Sequence, residues 1–283
     1  MPPGSSEFYA VVLGLASAVC WGASDFSGGL AARRSSASSV VIASQAIGSA
    51  FLLALLLPFP ETFPPWESML WGAAGGMAGG VGLVAFYRAL ADRQMGMVAP
   101  VGGVVGALIP VIAATFIDGW PTVVKLAGFV AALAAVWLVS SGNRGGPIRP
   151  RDLGLPAFAG IGFGLFFIFI DRASDTALLW PLVAARIASV GTLLAVAVIQ
   201  GQAPLPDVKH LPMMALVGVF DTTANALYAL TARLGRLDIA AVLGSLYSGV
   251  TVLLAWLILR ERLARLQWVG VFLALVAILL IAA

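Results

Sequence analysis

The chain has 283 residues, of which 60% are hydrophobic and 10% are charged, whereas an ordinary soluble domain has about 45–50% apolar and about 25% charged residues. This composition excludes a water-soluble fold, because such a fold cannot cover so much apolar surface. The net charge is +3 and the charges form short clusters between apolar runs, which argues against nucleic acid as a partner.

Ten apolar segments follow one another along the chain. A helix needs about 20 mainly apolar residues to cross a hydrocarbon core about 30 Å thick, where unpaired backbone groups find no water. We expect the first segment to be retained, because residues 1–8 lack the positive charge of a signal peptide. The sequence therefore predicts an all-α membrane protein with ten transmembrane helices, near residues 9–30, 38–58, 69–90, 97–117, 122–141, 153–170, 177–199, 211–230, 239–259 and 266–283.

The two halves of the chain repeat each other at an offset of about 141 residues. We predict a five-helix repeat over residues 1–142, a connecting loop over 143–152 and a second five-helix repeat over 153–283. An odd number of helices in each repeat brings the second copy into the membrane from the other side, so we expect inverted repeats around a central cavity. The matching positions are Leu13-Gly14-Leu15 with Leu153-Gly154-Leu155, Tyr87 with Tyr228, Gly103 with Gly244, and Gly128 with Gly270.

Polar residues on one face of the first span indicate where that cavity lies. Ser17, Trp21 and Asp25 are four residues apart, so they share one face of a helix. A charge at the bilayer centre costs about 2.5–3.5 kcal/mol on insertion scales, so an ionisable group there usually faces a cavity or a partner. We expect Asp25 to be such a group.

A second polar face lies in the eighth span, where Asp221, Asn225 and Tyr228 fall at positions i, i+4 and i+7. Tyr228 has Tyr87 as its repeat counterpart, and Tyr247 begins a polar patch in the ninth span. Aromatic walls with a few hydrogen-bonding groups suit an amphipathic solute. The predicted substrate-binding residues are therefore Trp21, Asp25, Tyr87, Asp221, Asn225, Tyr228 and Tyr247.

The same residues admit a structural interpretation. Tryptophan and tyrosine often anchor helices at the membrane interface, and Asp25 or Asp221 can form an ion pair with Arg186. Arg186 lies opposite Gln45 at the repeat offset, which suits a shared structural position at least as well as chemistry. The sequence leaves both interpretations open.

Glycine and proline mark two further features. Gly72, Gly76 and Gly80 form a row of small residues, which favours close helix packing over a direct contact with a solute. Pro100 and Pro110 in the fourth span each remove a backbone donor, and we predict them as hinges; a fixed bend is the alternative.

The sequence offers no catalytic, metal or cofactor site. Cys20 and His210 are the single cysteine and histidine, so the chain has no Cys/His metal set. It has no nucleotide-binding motif and no recognisable pair of nucleophile and base. An enzyme and an ATP-driven pump are both disfavoured, and a secondary transporter without a cofactor is favoured.

Several short motifs carry a family resemblance. Ala85-Phe86-Tyr87-Arg88-Ala89-Leu90 precedes Val98-Ala99-Pro100 in the first half, and Ala226-Leu227-Tyr228-Ala229-Leu230 precedes Ile239-Ala240-Ala241 in the second. Leu257-Ile258-Leu259-Arg260-Glu261-Arg262-Leu263 is followed by Gln267-Trp268-Val269-Gly270. Over essentially its whole length the chain resembles the EamA-type members of the drug/metabolite transporter superfamily, and among them the bacterial exporters of aromatic amino acids. Glu261 matches the family's second-half glutamate, whereas the first half has Asp118-Gly119 at the matching place.

The resemblance implies export of amino acids, aromatic and other neutral ones included, and of related metabolites across a bacterial inner membrane by alternating access. We expect a monomer whose partners are the lipid bilayer and the solute. The alternative is an exporter of hydrophobic or quaternary ammonium cations, for which Asp25 or Asp221 would supply the charge and Trp21 the cation–π contact.

The orientation in the membrane has two conflicting predictions. Alternate loops, starting with the first, hold eleven Lys and Arg residues, whereas the other loops hold four. Cations are more frequent in cytoplasmic loops, so this count places both termini outside. The family resemblance implies that both termini face the cytoplasm, and the sequence leaves the two orientations open.

Overall fold

The computed structural model of the chain describes residues 5–92, 95–117, 119–141, 150–201, 208–234, 237–260 and 264–282. These ranges are helical, with short turns and no strand. Most of the predicted connecting loop, residues 143–152, lies outside them. The helices are α1 (Ser5–Ala32), α2 (Ala37–Leu55), α3 (Trp66–Asp92), α4 (Met95–Ile117), α5 (Val123–Ser141), α6 (Pro150–Ala173), α7 (Leu179–Ile199), α8 (Leu211–Leu234), α9 (Leu237–Ser245), α10 (Tyr247–Leu259) and α11 (Arg265–Ala282).

Most of the helices have the length and composition of membrane spans. Their outer surface exposes large apolar side chains such as Phe116, Ile199 and Phe272, which a bilayer would cover. Val98–Ala113 and Val123–Ala135, within α4 and α5, are apolar but shorter. Within the described ranges, seven segments are long and apolar enough to cross a membrane: Phe8–Ala32, Ala37–Leu55, Trp66–Asp92, Leu153–Ala173, Leu179–Ile199, Leu211–Leu234 and Ile239–Leu259.

The predicted all-α membrane fold is confirmed at this level, whereas ten crossings and an inverted repeat remain predictions. The ninth predicted span, 239–259, consists of the two helices α9 and α10, which meet at Leu246. The structure thus interrupts a span that the sequence predicts as continuous.

The two halves pack into each other with a repeated pattern. In the repeat, α1 corresponds to α6, α2 to α7 and α3 to α8. The contact of α1 with α8 therefore matches that of α6 with α3, and the contact of α2 with α8 matches that of α7 with α3. Helix α4 packs on α6, as α9 and α10 pack on α1. Helices that correspond between the halves also meet, since α2 contacts α7 and α5 contacts α11. Equivalent helices therefore make equivalent contacts, which is the packing expected of a pseudo-two-fold arrangement.

The glycine row of α3 confirms the predicted close packing. A side chain built on Gly72 or Gly76 would run into the backbone of α7 at Pro181 or Ala185. One built on Gly80 would meet Ser189 one turn further along α7. Only residues without a Cβ allow the two helices this approach, and the approach carries α7 to the centre of the molecule.

A matching close contact joins α2 and α8. A Cβ on Gly218 would run into the carbonyl of Ser44, and a Cβ on Gly48 would meet the hydroxyl of Thr222. Ser44 precedes Ala185 of the α3–α7 contact by the repeat offset of 141 residues. The two tight crossings are therefore counterparts in the two halves.

The predicted hinge residues lie inside one helix. Pro100 and Pro110 are both buried in α4, which runs from Met95 to Ile117. The interruption of a helix at Leu246 lies in the equivalent span of the other half. A hinge role for the two prolines stays a prediction.

Glu61, in the loop between α2 and α3, is hydrogen-bonded to the start of α7. The backbone N–H groups of Leu178 and Leu179 donate to the carboxylate of Glu61, at 3.1 and 2.8 Å. The indole of Trp180 donates to the carbonyl of Glu61 at 3.2 Å, and its ring packs on Phe63. A carboxylate satisfies orphan N–H groups at a helix N-terminus and complements the positive end of the helix dipole. This cap fixes the end of α7 that leads to the central cavity.

Candidate functional site

A cavity lies between the two halves of the molecule. It contains about 590 Å³ of empty space, including the part that opens to the outside. Helices α1, α2 and α3 line it from the first half, and α6, α7, α8 and α10 line it from the second. Its lining side chains divide into a polar cluster, defined as Asp25, Gln45, Arg186 and Asp221, and an aromatic wall, defined as Trp21, Phe163, Phe166, Phe167 and Tyr247.

Arg186 is the centre of the polar cluster. It is 4% exposed, and its Nη1 donates to Oδ2 of Asp221 at 2.5 Å and also to Oε1 of Gln45. In a low-dielectric interior the carboxylate offsets much of the cost of burying the guanidinium. Arg186 and Asp221 lie on α7 and α8 of the second half and Gln45 lies on α2 of the first, so the bond between Arg186 and Gln45 joins the two halves.

The bond between Arg186 and Gln45 links equivalent positions of the two repeats, because the residues are 141 apart in the sequence. Equivalent residues touch each other only near a two-fold axis. The bond is therefore the contact expected at the centre of a pseudo-two-fold arrangement of the two repeats, which stays a prediction.

The polar cluster is incompletely paired. Within the described part of the chain, Arg186 Nη2 and the neighbouring Ser189 hydroxyl have no hydrogen-bond partner. Asp25 is 5% exposed, lines the cavity, and makes no hydrogen bond or ion pair with any described residue. With both carboxylates ionised, the cluster carries two negative charges and one positive charge. Buried polar groups are normally hydrogen-bonded, so these groups are candidates for binding a molecule in the cavity.

The aromatic wall is organised around Trp21. Its ring centroid lies 5.4 Å from that of Phe167 and 6.5 Å from that of Tyr247. Its indole N–H donates to Oδ1 of Asn225 on α8 at 2.9 Å, which fixes the plane of the ring. Phe163 and Tyr247 pack edge to face. The wall gives the cavity a largely apolar surface, and Asn225 holds its central ring in place.

Five of the seven predicted site residues line the cavity: Trp21, Asp25, Asp221, Asn225 and Tyr247. The structure brings them together from α1, α8 and α10. Their binding of a solute stays a prediction.

Tyr87 and Tyr228 are fully buried behind the cavity instead. The Tyr228 ring stacks on Phe167 with centroids 4.6 Å apart, and its hydroxyl donates to the Phe167 carbonyl at 3.3 Å. The Tyr87 ring fills the space left by Gly28, and its hydroxyl lies 3.4 Å from that of Ser24. Both tyrosines support α1 or α6, which carry the aromatic wall.

Some cavity residues were absent from the predicted site. The sequence does indicate that Arg186 and Gln45 occupy equivalent polar positions, since they match at the repeat offset. That match suits a structural position as well as a binding site. Phe163, Phe166 and Phe167 lie in an apolar span, where their spacing of three and four residues marks one helix face but not which face is inward.

From the part of the chain that the structure describes, neither a metal-ligand group nor the acidic residues of the family motif can be added to the site. Among the described residues, no group of three His, Cys, Asp or Glu side chains is placed to hold a metal ion. Asp118 and Glu261, the acidic residues of the family comparison, lie outside the described residues.

Comparisons with known proteins agree with this architecture. The sequence pattern of the EamA-like transporter family matches the chain twice, over residues 8–141 and 154–283. One solved crystal structure of a protein superposes with a TM-score of 0.77 over 96% of this chain and 95% of the other, at 16% identity, which shows a shared fold. No curated protein matches the sequence. Two copies of one family domain, which together span nearly the whole chain, make this a multi-pass membrane protein of the EamA-like transporter family.

Proposed function

We propose that this protein is a secondary transporter that exports amino acids, aromatic and other neutral ones, and related small metabolites across a bacterial inner membrane by alternating access. The observation that carries the proposal is the cavity between the two halves, whose lining combines the polar cluster with the aromatic wall. A neutral amino acid has a charged head and a less polar side chain, so its two ends match these two kinds of lining.

The proposed architecture is ten crossings arranged as two inverted five-helix repeats, with α9 and α10 forming one crossing. The paired contacts between halves and the bond between Arg186 and Gln45 at the repeat offset support it. In such transporters one half or bundle rocks against the other around a fixed midplane site. Pro100, Pro110 and the interruption at Leu246 are the proposed points of flexure.

Aromatic amino acids are the proposed preferred substrates within this class. The resemblance to bacterial exporters of aromatic amino acids suggests them, and the five rings of the aromatic wall support them. Aromatic pairs contribute about 0.5–1.5 kcal/mol beyond the area they bury. We expect the protein to act as a monomer in the bilayer, since each chain contains its own cavity.

The test is counterflow in liposomes that contain the purified protein. Liposomes loaded with unlabelled amino acid receive labelled phenylalanine, methionine or threonine outside, and uptake is followed with time. We expect uptake above that of empty liposomes, fastest for phenylalanine. Uptake equal to that of empty liposomes for every amino acid would contradict the substrate assignment.

A second candidate is the export of hydrophobic cations. Asp25, which has no partner in the described part of the chain and lines the cavity with Trp21 and Tyr247, favours it, because an aromatic ring and a carboxylate together bind ammonium or phosphonium groups. Labelled tetraphenylphosphonium in the same assay separates the two candidates. The cation exporter would be established if the protein exchanges this cation fast, does not exchange phenylalanine, and loses cation exchange in the Asp25→Asn variant. The control is Glu67→Gln, an exposed position on α3.

A further inference from the structure

We infer that the cavity holds a two-point site for a zwitterionic head group, in which Asp25 binds the ammonium of the solute, and Arg186 with Ser189 binds its carboxylate. The inference rests on the proposed function and deepens it, since it assigns each end of the amino acid to a side chain.

The carboxylate point follows from the hydrogen bonds of Arg186. Asp221 and Gln45 both accept hydrogen bonds from Nη1, and the buried Nη2 is left without an acceptor among the described residues. The hydroxyl of Ser189, one turn further along α7, is also buried and unpaired. A guanidinium N–H and a hydroxyl suit a carboxylate, which accepts several hydrogen bonds. A solute carboxylate would satisfy both groups without displacing Asp221.

The ammonium point follows from Asp25. Its carboxyl lines the same cavity and makes no bond with any described residue, whereas Asp221 is held by Arg186. Among the described lining residues, Asp25 and Asp221 are acidic and have different roles, because Asp221 is already paired and Asp25 is left to bind a cation. Trp21 precedes Asp25 by one turn of α1, so an ammonium at Asp25 leaves the rest of the solute beside the aromatic wall.

Solutes that lack one charge leave one group of the site unpaired. An amine without a carboxylate leaves Nη2 of Arg186 buried and unsatisfied, and an acid without an ammonium adds a negative charge beside Asp25. A lost hydrogen bond to a buried charged group weakens binding by about tenfold or more. The site therefore selects for zwitterions against both amines and acids.

The experiment measures inhibition of labelled phenylalanine counterflow by three unlabelled compounds. Phenylalanine carries both charges, phenethylamine carries only the ammonium, and 3-phenylpropanoate carries only the carboxylate. For the unmodified protein we expect each single-charge analogue to inhibit about tenfold more weakly than phenylalanine or worse. Equal inhibition by phenylalanine and either analogue would overturn the inference.

Two substitutions separate the two points. Arg186→Lys keeps a positive charge for Asp221 but removes the second guanidinium nitrogen, so the preference for phenylalanine over phenethylamine should fall by about tenfold. Asp25→Asn should reduce the preference over 3-phenylpropanoate by a similar factor. Arg172→Lys and Asp175→Asn, both exposed and outside the cavity, are the matched controls.

The ratios of the inhibition constants of the two analogues to that of phenylalanine distinguish failure of this inference from failure of the proposed function. Equal loss of inhibition for all three compounds in both variants indicates a structural role and overturns the inference, while phenylalanine exchange by the unmodified protein still supports the proposed function. If a variant does not fold, the three inhibition constants of the unmodified protein decide. Exchange of phenethylamine without exchange of phenylalanine overturns both.

Discussion

The buried guanidinium of Arg186 shows how single residues specify this cavity. Asp221 neutralises it and Gln45 accepts a further hydrogen bond, whereas Asp25 lines the same space but pairs with none of the residues that the structure describes. Removal of one partner from a buried ion pair leaves an uncompensated charge and destabilises the fold. Removal of a carboxylate that has no partner breaks no such pair. Asp221 and Asp25 should therefore differ sharply in their effect on stability.

We predict that Asp221→Ala lowers the free energy of unfolding by about 3–5 kcal/mol, because it leaves Arg186 buried without a counter-ion. Asp25→Asn should leave this free energy unchanged or raise it. Titration of the detergent-solubilised protein with sodium dodecyl sulfate, followed by tryptophan fluorescence, measures both. Similar losses in the two variants would contradict the assignment of Asp221 as the partner of Arg186.

Sequence reasoning at the residue scale found polar cavity residues better than apolar ones. Asp25 and Asp221 were identifiable because a charge within a span needs a cavity or a partner. Phe167 was not, because one phenylalanine among many in an apolar helix carries no sign of whether it faces lipid or interior. The prediction for Tyr228 rests on its helix face with Asp221 and Asn225, and that for Tyr87 on its repeat relationship to Tyr228. Both rings are buried in packing contacts, and neither a shared helix face nor a repeated position distinguishes such a contact from a cavity wall.

At the scale of elements, the glycine row of α3 determines how closely α7 approaches. We predict that Gly76→Ala destabilises the protein, because the new methyl group would run into the backbone of α7 at Ala185. A rigid backbone cannot move aside as a flexible side chain can, so we expect a loss of about 1–3 kcal/mol. The same titration measures it.

Gly191→Ala is the matched control for that substitution. A Cβ at Gly191, on the outer side of α7, meets nothing within 4 Å. It should be neutral or stabilising by up to about 1 kcal/mol, since alanine is the better helix former. Equal destabilisation by both substitutions would show that helix propensity, and not the α3–α7 contact, sets the effect.

The cap on α7 is an element-scale feature with its own test. Glu61→Ala removes the acceptor of the Leu178 and Leu179 N–H groups, so we predict a loss of about 0.5–2 kcal/mol of unfolding free energy. Glu67→Gln, an exposed carboxyl on the first turn of α3, should change it by less than about 0.5 kcal/mol. A loss for Glu67→Gln as large as that for Glu61→Ala would contradict a specific cap.

The elements themselves were predictable from apolar length, and their interruptions were not. Most predicted spans lie within or close to an observed helix, because a long apolar run in a membrane has no other way to satisfy its backbone. The interruption at Leu246 has no proline, and the two prolines of α4 leave it a single helix from Met95 to Ile117. Packing against α1 and α4 surrounds the α9–α10 junction, and such contacts between halves leave no local signal in the sequence.

At the scale of the whole molecule, the proposed inverted repeat predicts on which face of the membrane equivalent loops lie. Arg34 and Asp175 occupy the same position in the two repeats, 141 residues apart, and both are exposed in turns. In a Cys20→Ser background, we predict that Arg34→Cys and Asp175→Cys react with a membrane-impermeant maleimide from opposite faces of the membrane. Reaction of both from one face would contradict the inversion.

The same labelling also decides the orientation. Arg34 on the cytoplasmic face would agree with the charge distribution, which places both termini outside. Arg34 on the outer face would agree with the orientation that the family resemblance implies.

The central claim is that a solute binds in the cavity between the halves and that this cavity opens to each face in turn. Leu83 lines the cavity and is replaceable by the smaller cysteine, so Leu83→Cys with Cys20→Ser places one thiol in it. The decisive measurement is the rate at which an impermeant maleimide, applied to one face at a time, modifies this thiol with and without phenylalanine. The account predicts modification from both faces, slowed by phenylalanine; modification from a single face, or at a rate that phenylalanine does not change, would contradict it.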